Sequence, residues 1–196
     1  MGDANQLALM RHWVPRVDGP VLEVGSREYG STSSFREFYS GAEYVGVDMS
    51  EGEGVDVVVD LVRSTGPLAA GHFSLVVCCS VLEHVEKPWL FAANVTRLLR
   101  PGGLLYLSVP WVWRYHPYPD DYFRFSHRGV RSLFEGYDWI HQVYSSSVTG
   151  EFLEIRDDAR GIDEKLSVLV AAGEQKRKYL PYLMVNMLGA KRAPAG

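Results

Sequence analysis

The segment at residues 111–126, WVWRYHPYPDDYFRFS, holds one histidine and two adjacent acids within a few positions of each other. His116 is suited to general-base chemistry, because the reference pKa of imidazole lies close to neutral. An alcohol is a poor nucleophile until it loses its proton, so we predict that His116, oriented by Asp120 or Asp121, activates a hydroxyl group. The alternative is that His116-Pro117 forms a turn and that both aspartates are solvated.

Two further histidines and a metal ion are candidates for the same chemistry. His84, in the segment LEHV, is expected near the bound ligand, although a packed histidine at the start of a helix is an equally good interpretation. His141 lies in a strand-like stretch and faces either the substrate or the solvent. Asp120 and Asp121 are also candidates for binding Mg²⁺, which prefers carboxylate oxygens, but two adjacent acids are too few to define a site.

The same segment is rich in aromatic side chains with polar tips. Four aromatic residues and one arginine are predicted to bind substrate: Trp111, Tyr115, Tyr118, Tyr122 and Arg124. Sugars present apolar C–H faces that stack on such rings, while their hydroxyl groups hydrogen-bond to acids and arginine. The composition therefore favours a carbohydrate substrate, and the alternative is an aromatic lid that packs over a cofactor.

A second site is indicated by the loop VLEVGSREYGS at residues 21–31. A pyrophosphate needs free backbone N–H groups and glycines that allow close approach, whereas Arg27 fills a position where a dinucleotide loop has glycine. Gly25 permits one close approach, but Glu23 would repel a phosphate. A zwitterion fits better, with Glu23 near an ammonium group and Arg27 or backbone N–H groups near a carboxylate. We therefore predict a nucleoside that bears an amino acid.

Two more acids close predicted strands at the same edge of the sheet. Asp48 is predicted to accept hydrogen bonds from both hydroxyls of a ribose, and the alternative is a helix cap. Asp60 is predicted to accept a hydrogen bond from an adenine amino group or, equally, to cap the following turn. Met49, Leu61 and Val81 would supply apolar walls for the flat base.

The elements that position these residues follow an alternating α/β pattern. Predicted strands lie at residues 21–25, 44–48, 55–61, 73–80 and 103–110, and segments of helical period lie at 4–14, 32–40, 64–70 and 88–100. Runs that are apolar on both faces indicate buried parallel strands. Ligands bind such sheets at the carboxyl ends of the strands. We predict a doubly wound, mostly parallel α/β sheet of seven strands that ends in a C-terminal antiparallel hairpin.

The pattern changes after Pro110. HRGVRSLFEG predicts a helix that ends at Gly136, and DWIHQVYSSSV and EKLSVLVAAG alternate like a hairpin joined at DDARG. QKRKYLPYLMVNMLGAKR predicts a short helix whose apolar stripe packs on the sheet, in a homodimer interface or, least favoured, against a membrane. We expect one domain over residues 1–196, divided into a cofactor half (21–109), a substrate-side loop, helix and hairpin (110–175) and a tail (176–196).

Composition and charge disfavour several classes of function. The 196 residues carry a formal net charge of −4, so no overall field draws the chain to nucleic acid. The N-terminal sequence lacks the features of a signal peptide, and no apolar stretch is as long as a membrane span requires. The two cysteines, Cys78 and Cys79, are adjacent and poorly placed to form a disulfide. We therefore expect a domain of the reducing cytoplasm.

Four segments, taken in order, resemble the class I S-adenosylmethionine-dependent methyltransferases: LEVGSREYGS, GVDMS, SVLEHV and LLRPGG. The type-11 branch is the most similar, although Arg27 departs from the glycine of the first motif. The resemblance implies that strand-end residues bind S-adenosylmethionine. Glu23, Gly25 and Ser26 would contact the methionine part, Asp48 and Met49 the ribose and adenine, Asp60 and Leu61 the adenine, and Ser80 would lie beside the sulfonium.

The resemblance also bears on the acceptor. Family members with a segment like HPYPDDYFRF often act in glycan or glycosylated natural-product pathways, which implies O-methylation of a sugar hydroxyl. A faint likeness points to an actinobacterial methylated mannose polysaccharide. The alternatives are a quinol, polyketide or amine acceptor, or a module that binds the cofactor without catalysis. A nicotinamide-dependent reductase is disfavoured, because no tyrosine has a lysine four residues after it.

Overall fold

The structure, a computed structural model, describes residues 2–30, 34–156 and 182–193. Its helices are α1 (Gly2–Trp13), α2 (Pro88–Leu98) and α3 (His127–Leu133), with short 3-10 helices at Arg36–Tyr39 and Leu82–His84. Its strands are β1 (Val21–Val24), β2 (Tyr44–Asp48), β3 (Val57–Val58), β4 (Phe73–Cys79), β5 (Leu99–Val112), β6 (Tyr137–Ser145), β7 (Phe152–Glu154) and β8 (Leu183–Lys191). These strands form one sheet in the order β3-β2-β1-β4-β5-β8-β6-β7.

The sheet is parallel in its first half and antiparallel in its second. β1 pairs in parallel with β2 and β4, β2 pairs with β3, and β4 pairs with β5. β8 is antiparallel to both β5 and β6, and β7 is antiparallel to β6. This arrangement confirms the predicted fold class, a mostly parallel Rossmann-like α/β sheet with antiparallel strands at its C-terminal side.

Both faces of the central strands are covered. Alternate residues of β1 enter two different cores, Leu22 on one face and Val21 on the other, as expected for side chains that alternate along a strand. On the first face β1 packs with α2 and α3, and on the second with α1 and the 3-10 helix Arg36–Tyr39. The continuous apolar runs of the sequence are therefore strands buried between two layers of helix.

The C-terminal tail is the largest correction to the sequence prediction. Leu183–Lys191 forms the strand β8 between β5 and β6, so the predicted short helix is wrong, and the described residues give the sheet eight strands rather than the predicted seven. Its first seven residues are all buried, because a central strand needs apolar side chains on both faces. The apolar stripe therefore packs within its own sheet. In the described part of the chain no helix combines the length and apolarity that crossing a bilayer requires.

Several predicted boundaries also change. Residues 64–70 form turns rather than a helix, since Gly66 has a positive φ of 55° and Pro67 follows it. The predicted strand at 55–61 is reduced to Val57–Val58, the predicted helix at 32–40 is described only as the 3-10 turn Arg36–Tyr39, and α3 ends at Leu133 before Gly136. β6 pairs with β7, whereas the predicted DDARG turn and EKLSVLVAAG strand lie outside the described residues.

Asn186, at the centre of β8, supports a stability prediction. It is fully buried, accepts a hydrogen bond from Ser108 Oγ at 2.8 Å and donates one to Ser145 Oγ at 2.9 Å. Asn186→Ala leaves both hydroxyls without this partner, so we expect the free energy of unfolding in urea to fall by about 2–3 kcal/mol. Asn94→Ala, which removes a single hydrogen bond to Leu61 O, is the control and should cost about 1 kcal/mol. Equal losses in the two variants would contradict a special role for this network.

Candidate active site

A cavity of about 960 Å³ lies at the carboxyl ends of the parallel strands. The ten residues that the sequence predicts for the cofactor all line it: Glu23, Gly25, Ser26, Arg27, Asp48, Met49, Asp60, Leu61, Ser80 and Val81. They come together because the strand ends β1, β2 and β4 meet at one edge of the sheet, while the turn after β3 brings Asp60 and Leu61 to the same edge. The volume is within the range of pockets that hold cofactors and their substrates.

Glu23 is a buried acid in the wall of this cavity. Only 8% of the residue is exposed, and its Oε2 accepts a hydrogen bond from the Tyr44 hydroxyl at 2.7 Å. Burial raises the pKa of Glu23, while the Tyr44 hydrogen bond and the charge of Arg36 act in the opposite direction. A carboxylate that loses hydration in this way is stabilised by a cationic ligand group, and an ammonium group fits that requirement.

The loop after β1 is held close to the next strand end. The N–H groups of Gly25 and Ser26 both donate to Val47 O, at 2.8 and 3.1 Å. Gly25 has a positive φ of 76°, and a Cβ added to it would lie 2.3 Å from Cγ2 of Val81. Ser26 Oγ is buried and has no hydrogen-bond partner among the described residues. Glycine is therefore required at position 25 by both its backbone conformation and its contact with Val81.

The same loop contacts the segment on the opposite side of the cavity. The Arg27 guanidinium lies 5.1 Å from the centre of the Tyr29 ring. Tyr29 in turn packs edge-on against Tyr118, with ring centres 5.7 Å apart. The loop predicted to bind the cofactor and the segment predicted to bind substrate are thus two walls of one cavity.

The two strand-end acids also form turns. Asp48 Oδ1 accepts the Ser50 N–H at 3.0 Å, and Asp60 Oδ1 accepts the Val62 N–H at 2.9 Å. Asp60 Oδ2 lies 3.1 Å from Nε of the exposed Arg63. Both aspartates therefore make the turn-forming hydrogen bonds that were the alternative to ligand binding, and both also line the cavity.

A hydrogen bond from the N-terminal helix α1 holds Ser80 in position. It has a positive φ of 54°, and its N–H donates to Ser108 O at 2.8 Å. Gln6 Nε2, from α1, donates to the hydroxyls of both Ser80 and Ser108 at 3.1 Å. Gln6 also lines the cavity, so α1 contributes to its floor.

Three titratable side chains meet where the cavity reaches the segment after β5. Glu83 Oε1 lies 3.8 Å from His84 Nε2 and 3.7 Å from His116 Nε2. The rings of the two histidines are 4.9 Å apart, and both pack edge-on against Tyr118. The structure therefore brings His84 and His116 together around an acid that the sequence analysis did not select.

Backbone carbonyls define the tautomers of both histidines. His84 Nδ1 lies 2.6 Å from Asp120 O, and His116 Nδ1 lies 3.1 Å from Arg114 O. A carbonyl oxygen only accepts, so each Nδ1 carries a proton and each Nε2 of the neutral ring has a lone pair. The Glu83 carboxylate raises the pKa of His116, with smaller contributions from Arg114 O and Asp121. His116 Nε2 is thus a strengthened proton acceptor within the cavity.

Asp121 and Arg124 stabilise the segment rather than line the cavity. Both oxygens of Asp121 accept hydrogen bonds from the Arg124 guanidinium. Oδ2 also accepts a hydrogen bond from the backbone N–H of His116 at 2.8 Å. Arg124 lowers the pKa of Asp121 to about 2. Asp120 lines the cavity, and its Oδ2 accepts from the Tyr122 hydroxyl at 3.2 Å. This donor set does not fit a Mg²⁺ ion shared by Asp120 and Asp121, because Arg124 engages both oxygens of one ligand.

Several predicted residues lie elsewhere. His141, on β6, stacks on Trp13 with ring centres 5.1 Å apart and does not line this cavity. Trp111 stacks on Tyr144, and Tyr115 is 69% exposed, so neither of these two aromatic residues lines the cavity. Of the residues predicted to bind substrate, only Tyr118 and Tyr122 face it.

Sequence reasoning also missed three residues of the site. Glu83 lies within LEHV and was not predicted to have a role, although an acid shortly after the buried strand β4 was a detectable signal. Tyr44 and Gln6 reach Glu23 and Ser80 only through tertiary contacts, at sequence distances that no motif records.

The described residues form a Rossmann-like α/β fold with a ligand cavity at the carboxyl edge of the sheet. Residues 22–107 match the family model of the methyltransferase domain. A protein of Mycobacterium sp. (strain KMS), named an uncharacterized methyltransferase, is 36% identical over 101 residues, which are 47% of this chain and 39% of that protein. The chain therefore spans less than half the length of this relative.

Solved structures share the fold at low sequence identity. The 1,6-didemethyltoxoflavin-N1-methyltransferase of Burkholderia thailandensis, with bound S-adenosylhomocysteine, has a TM-score of 0.61 at 15% identity over 98% of this chain and 78% of that one. The cyclase SpnF has a TM-score of 0.63 at 16% identity over 97% and 82%. A methyltransferase and a cyclase thus share this fold, so the reaction has to be argued from the site.

Proposed function

We propose that this chain is an S-adenosylmethionine-dependent methyltransferase that acts on a hydroxyl group, with a sugar or glycan as the favoured acceptor. One observation carries the proposal: the cavity that is lined by all ten predicted cofactor residues is also lined by His116. A methyl donor in the first part and a hydroxyl in the second would meet beside a proton acceptor.

The reaction needs few groups from the protein. The donor's S–CH₃ bond breaks as an O–CH₃ bond forms in line with it, the sulfur keeps the electron pair, and S-adenosylhomocysteine leaves. The acceptor hydroxyl passes its proton to His116 Nε2, whose Nδ1–H remains bonded to Arg114 O. Catalysis then depends on alignment of donor and acceptor and on this proton transfer.

The acceptor class rests on the rings beside His116. Tyr118 and Tyr122 line the cavity and are 59% and 45% exposed, so their faces are open to a ligand. Such rings suit the C–H face of a sugar, and Asp120 beside them accepts hydrogen bonds. Mannose oligosaccharides are the first acceptors to test, followed by a quinol and an amine. Cys78 and Cys79 are not joined in a disulfide, and we propose a reducing, cytoplasmic setting for the chain.

The direct test measures cofactor binding and turnover separately. Titration with S-adenosylhomocysteine should give saturable binding to the chain, and incubation with S-adenosylmethionine and a sugar panel should give a methylated product by mass spectrometry. Absence of binding at millimolar ligand would overturn the proposal. Binding without any methylated sugar, quinol or amine would leave a binding module and overturn the catalytic part.

Glu23 gives a pH-dependent prediction. Its raised pKa means that acid protonates it in the free chain, and an ammonium group would favour its charged form. The affinity for S-adenosylhomocysteine should therefore fall as pH is lowered from above neutral through the raised pKa of Glu23. Glu23→Gln should bind about 10- to 100-fold more weakly at the higher pH, because one charged hydrogen bond is lost.

The variant also removes the cause of the pH dependence. Calorimetric titration across the pH range should give a nearly flat profile for Glu23→Gln. Glu43→Gln, which alters an acid that does not line the cavity, should keep the wild-type profile. A wild-type slope in the Glu23→Gln variant would show that another group holds the ammonium.

A further inference from the structure

Glu83, His84 and His116 form a cluster with the composition of a transition-metal site. One ligand atom from each residue lies within 4.8 Å of the other two. The Glu83 side chain is 1% exposed, and its Oε2 has no hydrogen-bond partner among the described residues. A buried carboxylate oxygen without a donor is costly unless a cation or another donor reaches it.

The two histidines are already oriented as metal ligands. In metal sites the nitrogen that does not bind the ion commonly donates to a backbone carbonyl or a carboxylate, which fixes the ring. Here His84 Nδ1 bonds to Asp120 O at 2.6 Å and His116 Nδ1 bonds to Arg114 O at 3.1 Å. Both Nε2 atoms, which are not used by these hydrogen bonds, lie within 3.8 Å of Glu83 Oε1.

We propose that Glu83, His84 and His116 bind a divalent transition metal ion of the Zn²⁺ type. Ligands at about 2.1 Å from a tetrahedral ion are about 3.4 Å from each other. Glu83 Oε1 lies 3.8 and 3.7 Å from the two Nε2 atoms, and all three ligand atoms lie within 4.8 Å of one another. Each pair is therefore within about 1.4 Å of the separation that a tetrahedral ion requires. Two imidazoles favour zinc, iron or nickel over Mg²⁺, which prefers oxygen ligands.

Metal binding is an activity separate from the proposed methyl transfer, because it requires no S-adenosylmethionine, although both use His116. Three protein ligands leave a fourth position of a tetrahedral ion open toward the cavity. The ion would use the same lone pair of His116 Nε2 that accepts a proton in the metal-free chain. Metal binding and the base role of His116 are therefore alternative states of one atom.

The experiment is a zinc titration of the full chain after its metals have been removed with a chelator. Competition with a chromophoric chelator should give one bound Zn²⁺ per chain, and Co²⁺ in its place should give d–d absorption bands of a nitrogen- and oxygen-ligated ion. His84→Asn and His116→Asn should each weaken Zn²⁺ binding by about 100-fold or more, because removal of a ligand exceeds the 10- to 100-fold loss typical of an outer-shell change.

A matched control separates the site from ordinary surface histidines. His72 is exposed and lies 3.2 Å from Glu43, so His72→Asn also removes a histidine beside an acid and should leave Zn²⁺ affinity unchanged. His84 and His116 are at the surface of the cavity, and their variants should fold even if Glu83→Gln does not. Equal affinity in the wild type, His84→Asn and His116→Asn, or no binding by the wild type, would overturn the proposal.

Discussion

Replacement of His116 by asparagine is expected to lower kcat for methyl transfer to a hydroxyl by about 10²- to 10⁴-fold, the usual contribution of a general base. Asparagine places an amide N–H near the position of Nδ1, where it can still donate to Arg114 O. It has no basic atom at the position of Nε2. The segment should therefore keep its conformation while the proton acceptor is lost.

Two measurements distinguish this effect from damage to the cavity. The affinity of His116→Asn for S-adenosylhomocysteine should stay within a few-fold of the wild type, because His116 lies outside the set of residues predicted to bind the cofactor. His72→Asn, which removes a histidine paired with Glu43 on the surface, should retain full activity. The assays should contain a chelator, so that metal bound at His116 does not differ between the variants.

The outcome also identifies the acceptor atom. A hydroxyl needs a base because its oxygen is a poor nucleophile while protonated, whereas a neutral amine attacks with its own lone pair. If kcat of His116→Asn stays within a few-fold of the wild type, the acceptor is a nitrogen or the base is another group. In the first case the sugar hydroxyl proposed above would be wrong, and in the second the base role of His116 would be wrong, even if cofactor binding is intact.

The strand-end part of the cavity could be predicted from sequence because its geometry follows from the sheet. Glu23 and Asp48 end parallel strands, so their positions are fixed by strand register once the strands are identified. β1 and β2 pair with Val24 opposite Val47, which brings both strand ends to one edge. The strands, which can be identified from local sequence, therefore determine these positions without knowledge of other long-range contacts.

The remaining parts depend on contacts that a local pattern does not contain. The tail has an apolar stripe that is compatible with a helix or with a buried strand, and only its partners β5 and β6 decide between them. Glu83 and His116 lie on different elements, and the loop geometry that joins them depends on the Asp121–Arg124 pair. No local sequence motif therefore predicts the proposed metal site, because His116 approaches Glu83 only in the folded chain.

The position of His141 also depends on a long-range contact that a local sequence pattern does not contain. Its strand was predicted, but the face it occupies depends on the position of β6 beside β8, which the sequence analysis did not contain. In the structure it stacks on Trp13 of α1, with ring planes inclined by 18°. A histidine in a correctly predicted strand thus lies at a surface contact rather than at the cavity.

The second large effect is expected from Gly25→Ala, which should weaken S-adenosylhomocysteine binding by about 10- to 100-fold, the equivalent of about 1.4–2.8 kcal/mol. The added Cβ would lie 2.3 Å from Val81 Cγ2, well inside contact distance. Valine is stiff about χ1 and cannot rotate away freely, so either Val81 or the loop must move into the space that the ligand uses. Calorimetric titration measures the loss.

Gly30→Ala provides a matched control for the backbone. Gly25 and Gly30 have similar positive φ values of 76° and 72°, but a Cβ at position 30 meets no atom of the described residues within 4 Å. Both variants should lose about 1–3 kcal/mol of stability from the strained backbone, whereas only Gly25→Ala should lose affinity. Comparison of the two therefore isolates the steric effect on the cavity from the cost of the φ angle.

Removal of the clashing atom completes the test. Val81→Ala deletes Cγ2, and the remaining Cβ would lie 3.6 Å from the new Cβ at position 25, an ordinary contact distance. The double variant Gly25→Ala/Val81→Ala should therefore bind more tightly than the two single losses predict, with a coupling energy of about 1 kcal/mol or more. Additive losses would mean that Gly25 acts through its φ angle alone, and the packing of the loop on Val81 would then have no part in cofactor binding.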